Sequence, residues 1–339
     1  MNALRVEATR GPRVECAHSV SVAVVDPAGR LVAEAGDPRL VTFWRSAAKA
    51  FQAMPLVEDG AADRFEFGSE ELALACASHS SEPMHLAVAD RMLARLGLGE
   101  EALACGPHVP LGPAVAQYVA REGIPLTPRW SNCSGKHAAM LATCLHRGWP
   151  PAGYERPDHP LQRRILETVT RWTDTAITQL DLATDGCNTV CYGLPLIGMA
   201  TAWARFGVAT DPAARRLREA MMAHPELVAG TGRSCTDLMR AWPGELVVKI
   251  GADGIYCAAI PSLGLGVALK VKSGDMRAAP VALIAVLRQL LEHAGASDVP
   301  TALREGLTAH ARPAIRNTRA VVTGEIRAAG GLRFRGHLP

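Results

Sequence analysis

The residues best equipped for chemistry lie in Trp44-Arg45-Ser46-Ala47-Ala48-Lys49-Ala50-Phe51-Gln52-Ala53-Met54-Pro55. This stretch of small and apolar residues reads as a helix, so Ser46 and Lys49, three apart, share one face. A serine hydroxyl is a weak nucleophile until a base takes its proton. A lysine amine becomes that base when burial or a neighbouring cation favours its neutral form. Serine with lysine one turn later is the S-x-x-K arrangement of acyl-transferring enzymes.

With 13 serines and 5 lysines in 339 residues, chance alone supplies about 0.2 such pairs. The use of lysine sharpens the signal. Of 36 basic residues, 31 are arginine, which leaves Lys49, Lys136, Lys249, Lys270 and Lys272. Arginine stays protonated in proteins, whereas lysine does not have to.

A second hydroxyl, Ser78, stands in Cys76-Ala77-Ser78-His79-Ser80-Ser81-Glu82 and could relay a proton or act as the nucleophile. The plainer reading of this segment is an N-cap by Ser80 or Ser81 ahead of Glu82. Lys249-Ile250-Gly251 completes an S-x-x-K, serine, K-x-G trio, in which the glycine would let a substrate approach the strand. Lys270 and Lys272 share a face of the next strand and are the alternatives to Lys249.

Ser131-Asn132-Cys133-Ser134-Gly135-Lys136-His137 and Asp185-Gly186-Cys187-Asn188-Thr189-Val190-Cys191 form another group. Gly135-Lys136 has neither the earlier glycine nor the preceding strand of a phosphate loop. Cys133 and Lys136, three apart at a helix start, can converge, and Cys187 sits beside Asp185 in a glycine-flanked loop. Two thiolates, a nitrogen and a water would make a tetrahedral zinc site with an open position. By spacing, Cys191 or His137 is a more orthodox third ligand than Lys136, whose amine must first be neutral. The plain alternative is a set of buried apolar cysteines.

The elements that must position these groups follow from periodicity and turn chemistry. A hairpin is expected over 14–36 about Asp26-Pro27-Ala28-Gly29. Helices are expected over 70–77, 84–96, 113–121, 136–146, 160–172, 195–206, 212–222 and 276–294. The segment 184–193 reads as a glycine-rich loop, and strands are expected over 245–251, 254–261, 265–272 and 318–327. The fold class is α/β in loose usage, strictly α+β. Residues 1–60 and 195–339 form a sheet-containing lobe, 61–194 a mainly helical lobe, and the cleft between them is the expected active site.

Composition narrows the partners. A net charge of +3, with no basic run and 5 % aromatics, disfavours nucleic acid. No run of 18 apolar residues marks a membrane span. The first residues lack the apolar core of a signal peptide. Nine scattered cysteines suit reduced thiols in the cytoplasm.

Together, W-R-S-A-A-K, C-A-S-H-S-S-E, S-N-C-S-G-K-H, D-G-C, H-P-E-L-V-A-G at 224–230 and K-I-G-A-D-G resemble the rhizobial-type L-asparaginases over most of the chain. That family is unrelated in sequence to the bacterial enzymes with threonine nucleophiles. The resemblance implies a fold similar to serine β-lactamases and glutaminases. It implies tandem pairs, Ser46 with Lys49 and Ser78 with Lys249. It also implies zinc on Cys133, Lys136 and Cys187, with Asp185, His137, His79 and Arg45 supporting the metal or the substrate. The implied reaction is hydrolysis of L-asparagine to L-aspartate and ammonia, with Ser46 or Ser78 as nucleophile. The same residues would also suit glutamine, a β-lactam or a peptide, and a metal- or amino-acid-binding regulator is the reading from another class. A homodimer is the default assembly.

Overall fold

The computed structural model describes residues 3–295, 300–304 and 306–336. The chain divides into two compact units.

The first unit comprises the described parts of Met1–Ala47, Leu194–Val208 and Asp237–Pro339. Among the described residues, nine strands make one antiparallel sheet. Its main path runs Ala314–Arg316, Val322–Ala329, Arg5–Arg10, Arg13–Val25, Leu265–Val271, Ile255–Ile260 and Val247–Ile250. Leu31–Ala35 pairs with the second half of Arg13–Val25, and Arg333–Phe334 pairs with Leu31–Ala35.

The expected hairpin forms about Asp26, whose amide bonds Arg30 O while Gly29 turns the chain with φ +79°. Every residue of Ile255–Ile260 is buried. A strand without exposed alternation needs both faces covered, and helices Leu196–Val208 and Ala278–His293 pack on this sheet. At Gly266 a Cβ would lie 2.1 Å from Ala200 O, so only glycine allows the helix this close.

The second unit comprises Ala48–Gly193 and Ala209–Thr236. Its centre is the helix Lys49–Glu58, buried from Lys49 to Val57. A helix apolar on every side belongs inside a bundle, and this one is packed by Ser69–Ala75, Ser134–Arg147, Pro160–Thr173 and Pro212–Ala223.

The loop expected over 184–193 is instead largely a hairpin: Asp181–Thr184 pairs with Val190–Pro195 about the turn at Asp185–Asn188. The strand is carried by Val190, Cys191 and Tyr192, all buried, whose β-forming character the flanking glycines obscured. Asn188 takes the left-handed conformation at the turn, with φ +69°.

Glu71 anchors the helix Ser69–Ala75. Its buried carboxylate accepts from Gly68 N at 2.9 Å, Arg91 Nε at 2.7 Å and Arg95 Nη1 at 3.3 Å. Burial pushes the carboxyl pKa up, but Arg91, the amide bond and Arg95 outweigh it and the net direction is down. Such a group stabilises the fold above its unfolded pKa of about 4.3 and ceases to as pH falls through the lower folded value. Glu71→Gln is therefore expected to lose about 1–3 kcal/mol at pH 7. In denaturant titrations its deficit should shrink as pH drops below about 4.

Candidate active site

Lys49 opens the central helix of the second unit and is fully buried. Its Nζ donates to Ala77 O at 2.5 Å and to Ser78 Oγ at 2.9 Å. Ser78 is buried in the irregular segment after the helix Ser69–Ala75, with its amide bonded to Val228 O at 2.9 Å.

The expected cap by Ser80 or Ser81 does not form. Glu82 holds the N-cap position of Pro83–Leu96, and its amide is bonded by His85 Nδ1 at 3.0 Å. Pro83 at the first helical position places the boundary there. The two serines bond elsewhere, Ser80 Oγ to Ala229 O at 3.0 Å and Ser81 Oγ to Trp130 O at 2.8 Å.

His79 accepts from Ser81 N on Nδ1, so the proton on Nε2 goes to Ser134 Oγ at 2.9 Å. Burial first, then His85 and Lys49, lower its pKa and keep it neutral. His79 thereby ties the Ser78 segment to the start of the helix Ser134–Arg147.

Cys133 caps that helix and Lys136 lies in its first turn. Lys136 Nζ donates to Cys187 Sγ at 2.9 Å and to Thr189 Oγ1 at 2.8 Å. Cys187 is driven strongly toward the thiolate, first by a hydrogen bond from Cys133, then by Lys136 and His137, against burial. Cys133 is raised for the converse reasons, its bond to Cys187 and burial. Burial lowers Lys136, but the charges of Cys187, Cys133 and Asp185 outweigh it, so it stays an ammonium.

Asp185 Oδ2 is 3.9 Å from Cys187 Sγ. His137 is buried, and Tyr154 assigns its tautomer. The Tyr154 hydroxyl accepts from Ala104 N at 2.9 Å, so its own proton goes to His137 Nδ1 at 2.5 Å. His137 Nε2 is buried with no hydrogen-bond partner among the described residues. Cys191 lies buried on the strand Val190–Pro195.

Sequence reasoning missed Thr189, Tyr154 and Cys105. The thiol of Cys105 is influenced by Ser131, Cys187 and Lys136. A hydroxyl on a strand, or a tyrosine in a turn, carries no spacing signal. The charge of Lys49 also acts on Cys133, His137 and His79, which puts the serine–lysine pair and the sulfur group in one field.

The first unit holds Arg45, Ser46 and Lys249. Ser46 lies, partly exposed, in the 3₁₀ helix Arg45–Ala48, where three residues per turn align positions i and i+3. Arg45 has φ +52°, a costly conformation for a side chain with a Cβ, and forms an ion pair with Asp253. Lys249 is buried on Val247–Ile250, donates to Ile250 O at 2.7 Å and sits opposite Cys257. Gly251 has a different role from the one its motif suggests. A Cβ there would meet Ile255 Cγ2 at 2.0 Å, Trp44 O at 3.0 Å and Ala47 N at 3.3 Å. The glycine seats the Ser46 turn on the sheet.

A family profile described as L-asparaginase II matches residues 6–328. The chain belongs to the L-asparaginase II family. No curated protein matches the sequence significantly. Among solved structures, a β-lactamase from Mycobacterium bovis has 11% identity and TM-score 0.30, over 86% of this chain and 94% of that one. Unliganded simvastatin synthase from Aspergillus terreus has 11% identity and TM-score 0.35, over 76% and 89%. Likenesses this slight assign neither fold nor activity.

For zinc, the donor chemistry of this family member is unorthodox. Among the described residues no three His, Cys, Asp or Glu side chains gather around one point. A zinc ion here would take its nitrogen from Lys136, beside Cys133 and Cys187. The charges fit. One thiolate, one thiol and one ammonium sum to zero, and so do a dication, two thiolates and a neutral amine. Exchanging two protons for the ion leaves this buried site electrically unchanged.

Gly251→Ala should lower the urea midpoint, with a loss of about 1–3 kcal/mol from overpacking. Since the clash includes backbone of the Ser46 turn, the turnover number should fall by more than the folded fraction does.

Proposed function

We propose that the protein is an L-asparagine amidohydrolase that forms an acyl-enzyme on Ser46. The observation that carries the mechanism is the buried amine of Lys49, 2.9 Å from Ser78 Oγ and three residues from Ser46. A neutral Lys49 accepts the Ser46 proton as the oxygen attacks the side-chain amide carbon. Ser78 passes that proton to the amide nitrogen, the C–N bond breaks, and ammonia leaves. In the second half, water gives a proton to Lys49 and its oxygen attacks the ester. The C–O bond to Ser46 breaks, Ser46 recovers the proton, and aspartate departs. The resemblance extends this relay to Lys249.

Zinc, held by Cys133, Lys136 and Cys187, would supply a Lewis acid with an open position for the substrate's carboxylate or amine. His137 and Asp185 orient Cys187, and His79 holds the Ser78 segment against the same helix start. The free thiols suit the cytoplasm, and a homodimer is the expected assembly. One observation favours a second reading: Ser78, whose hydroxyl bonds directly to Lys49, would be the nucleophile.

Ammonia release from L-asparagine should fall by at least about ten-thousandfold in Ser46→Ala and Lys49→Met, with native circular dichroism. Mass spectrometry of an acid-quenched reaction should place the acyl group on Ser46, and acylation of Ser78 would install the second reading. A wild type silent on asparagine would sink the proposal.

Cys187→Ala should abolish the binding of about one zinc ion per chain, measured by elemental analysis. If metal were lost while kcat and KM stayed normal, zinc would have no part in holding substrate.

A further inference from the structure

The segment His224-Pro225-Glu226-Leu227-Val228-Ala229-Gly230 has no part in the mechanism above, yet it borders the Ser78 segment throughout. Val228 O accepts from Ser78 N at 2.9 Å, Ala229 O from Ser80 Oγ at 3.0 Å, and Glu226 O from His85 Nε2 at 2.8 Å. Immediately beyond it, half-buried Arg233 donates from Nη1 to Ser80 Oγ at 3.2 Å.

The hydroxyl of Ser80 is thus held at both ends, donating to Ala229 O and accepting from Arg233. Among the described residues Arg233 forms no ion pair. The carboxylate that approaches this loop, Glu82, is taken up by Thr231 N at 2.9 Å and Thr231 Oγ1 at 2.8 Å. A guanidinium carries five N–H donors in a planar fork that matches a carboxylate. With one donor engaged on a neutral hydroxyl, the fork is available to an anion.

We propose that Arg233 binds the α-carboxylate of the substrate, oriented for it by Ser80. The assignment rests on the amidohydrolase reading. From Ser78 to Ser80 the backbone spans at most about 7 Å. Asparagine separates its α-carboxylate from the amide carbon by two carbons, so a hydrogen bond at each end fills that span. The charge of Arg233 also reaches His79 and His85, where it adds to burial in keeping both imidazoles neutral. Two neutral rings leave Arg233 as the cation of this loop.

The test compares kcat/KM for L-asparagine with that for 3-aminopropanamide, which is asparagine without its α-carboxylate, in wild type, Arg233→Met and Arg233→Lys. The selectivity ratio should fall by about ten- to a hundredfold in Arg233→Met. The change should lie mainly in KM for asparagine, and Arg233→Lys should recover part of it. A purely structural arginine would lower both activities together and leave the ratio at its wild-type value, which would overturn the assignment alone. A wild type that hydrolyses neither compound would overturn the assignment and the amidohydrolase reading together.

Discussion

An ammonium taken out of water has to be met by acceptors, and in this protein that requirement fixes the site. Three of the five lysines, Lys49, Lys136 and Lys249, are at most 1% exposed. Lys49 finds one acceptor because the helix Ser69–Ala75 closes its last turn with bonds from Cys76 N and Ala77 N, leaving the Ala77 carbonyl beyond that turn. The C-terminal end of a helix is where a cation is most welcome. The other acceptor is Ser78. Both acceptors are supplied by one short stretch, Ala77-Ser78.

Lys136 meets the same requirement by a different route. Its partner is a thiolate that would itself be too costly to bury alone. Cys133, Lys136 and His137 together push Cys187 toward the thiolate, and Thr189 accepts from the lysine. The ammonium and the thiolate each answer the other's burial.

Much of this was legible because lysine is rare here. Arginine supplies most of the positive charge, and three of the five lysines are buried. The hairpin at Asp26 and the strands from Val247 to Val271 were legible from turn chemistry and apolar runs. The strand Val190–Pro195 was not, since Gly186 and Gly193 outweighed three good strand formers in a short window. Nor was the purpose of Gly251, because a glycine that admits a substrate and one that admits a neighbouring turn look alike in sequence. The roles of Tyr154 and Thr189 depend on contacts distant along the chain, which spacing cannot encode.

The segment 224–236 bears on which serine attacks. Ser78 through Glu82 has no secondary structure of its own, and Ser81 is held at φ +58°. Carbonyls from two sides secure it, Val228 and Ala229 from one, Asn132 and Trp130 from the other. Gly230 allows the first approach, since a Cβ there would lie 2.4 Å from Ser80 Oγ. The consequence is that the amides of Ser78 and His79 are both committed, to Val228 O and Asn132 O. An acyl nucleophile needs N–H groups beside it to receive the developing oxyanion, and a hydroxyl flanked by two engaged amides is poorly supplied. Ser46 lies at the start of a 3₁₀ helix whose first bond is Ala47 N to Trp44 O. The amide following Ser46 is thus likewise committed, so the two hydroxyls differ in surroundings rather than in the supply of that amide: Ser78 is buried and bonded to Lys49, and Ser46 is partly exposed.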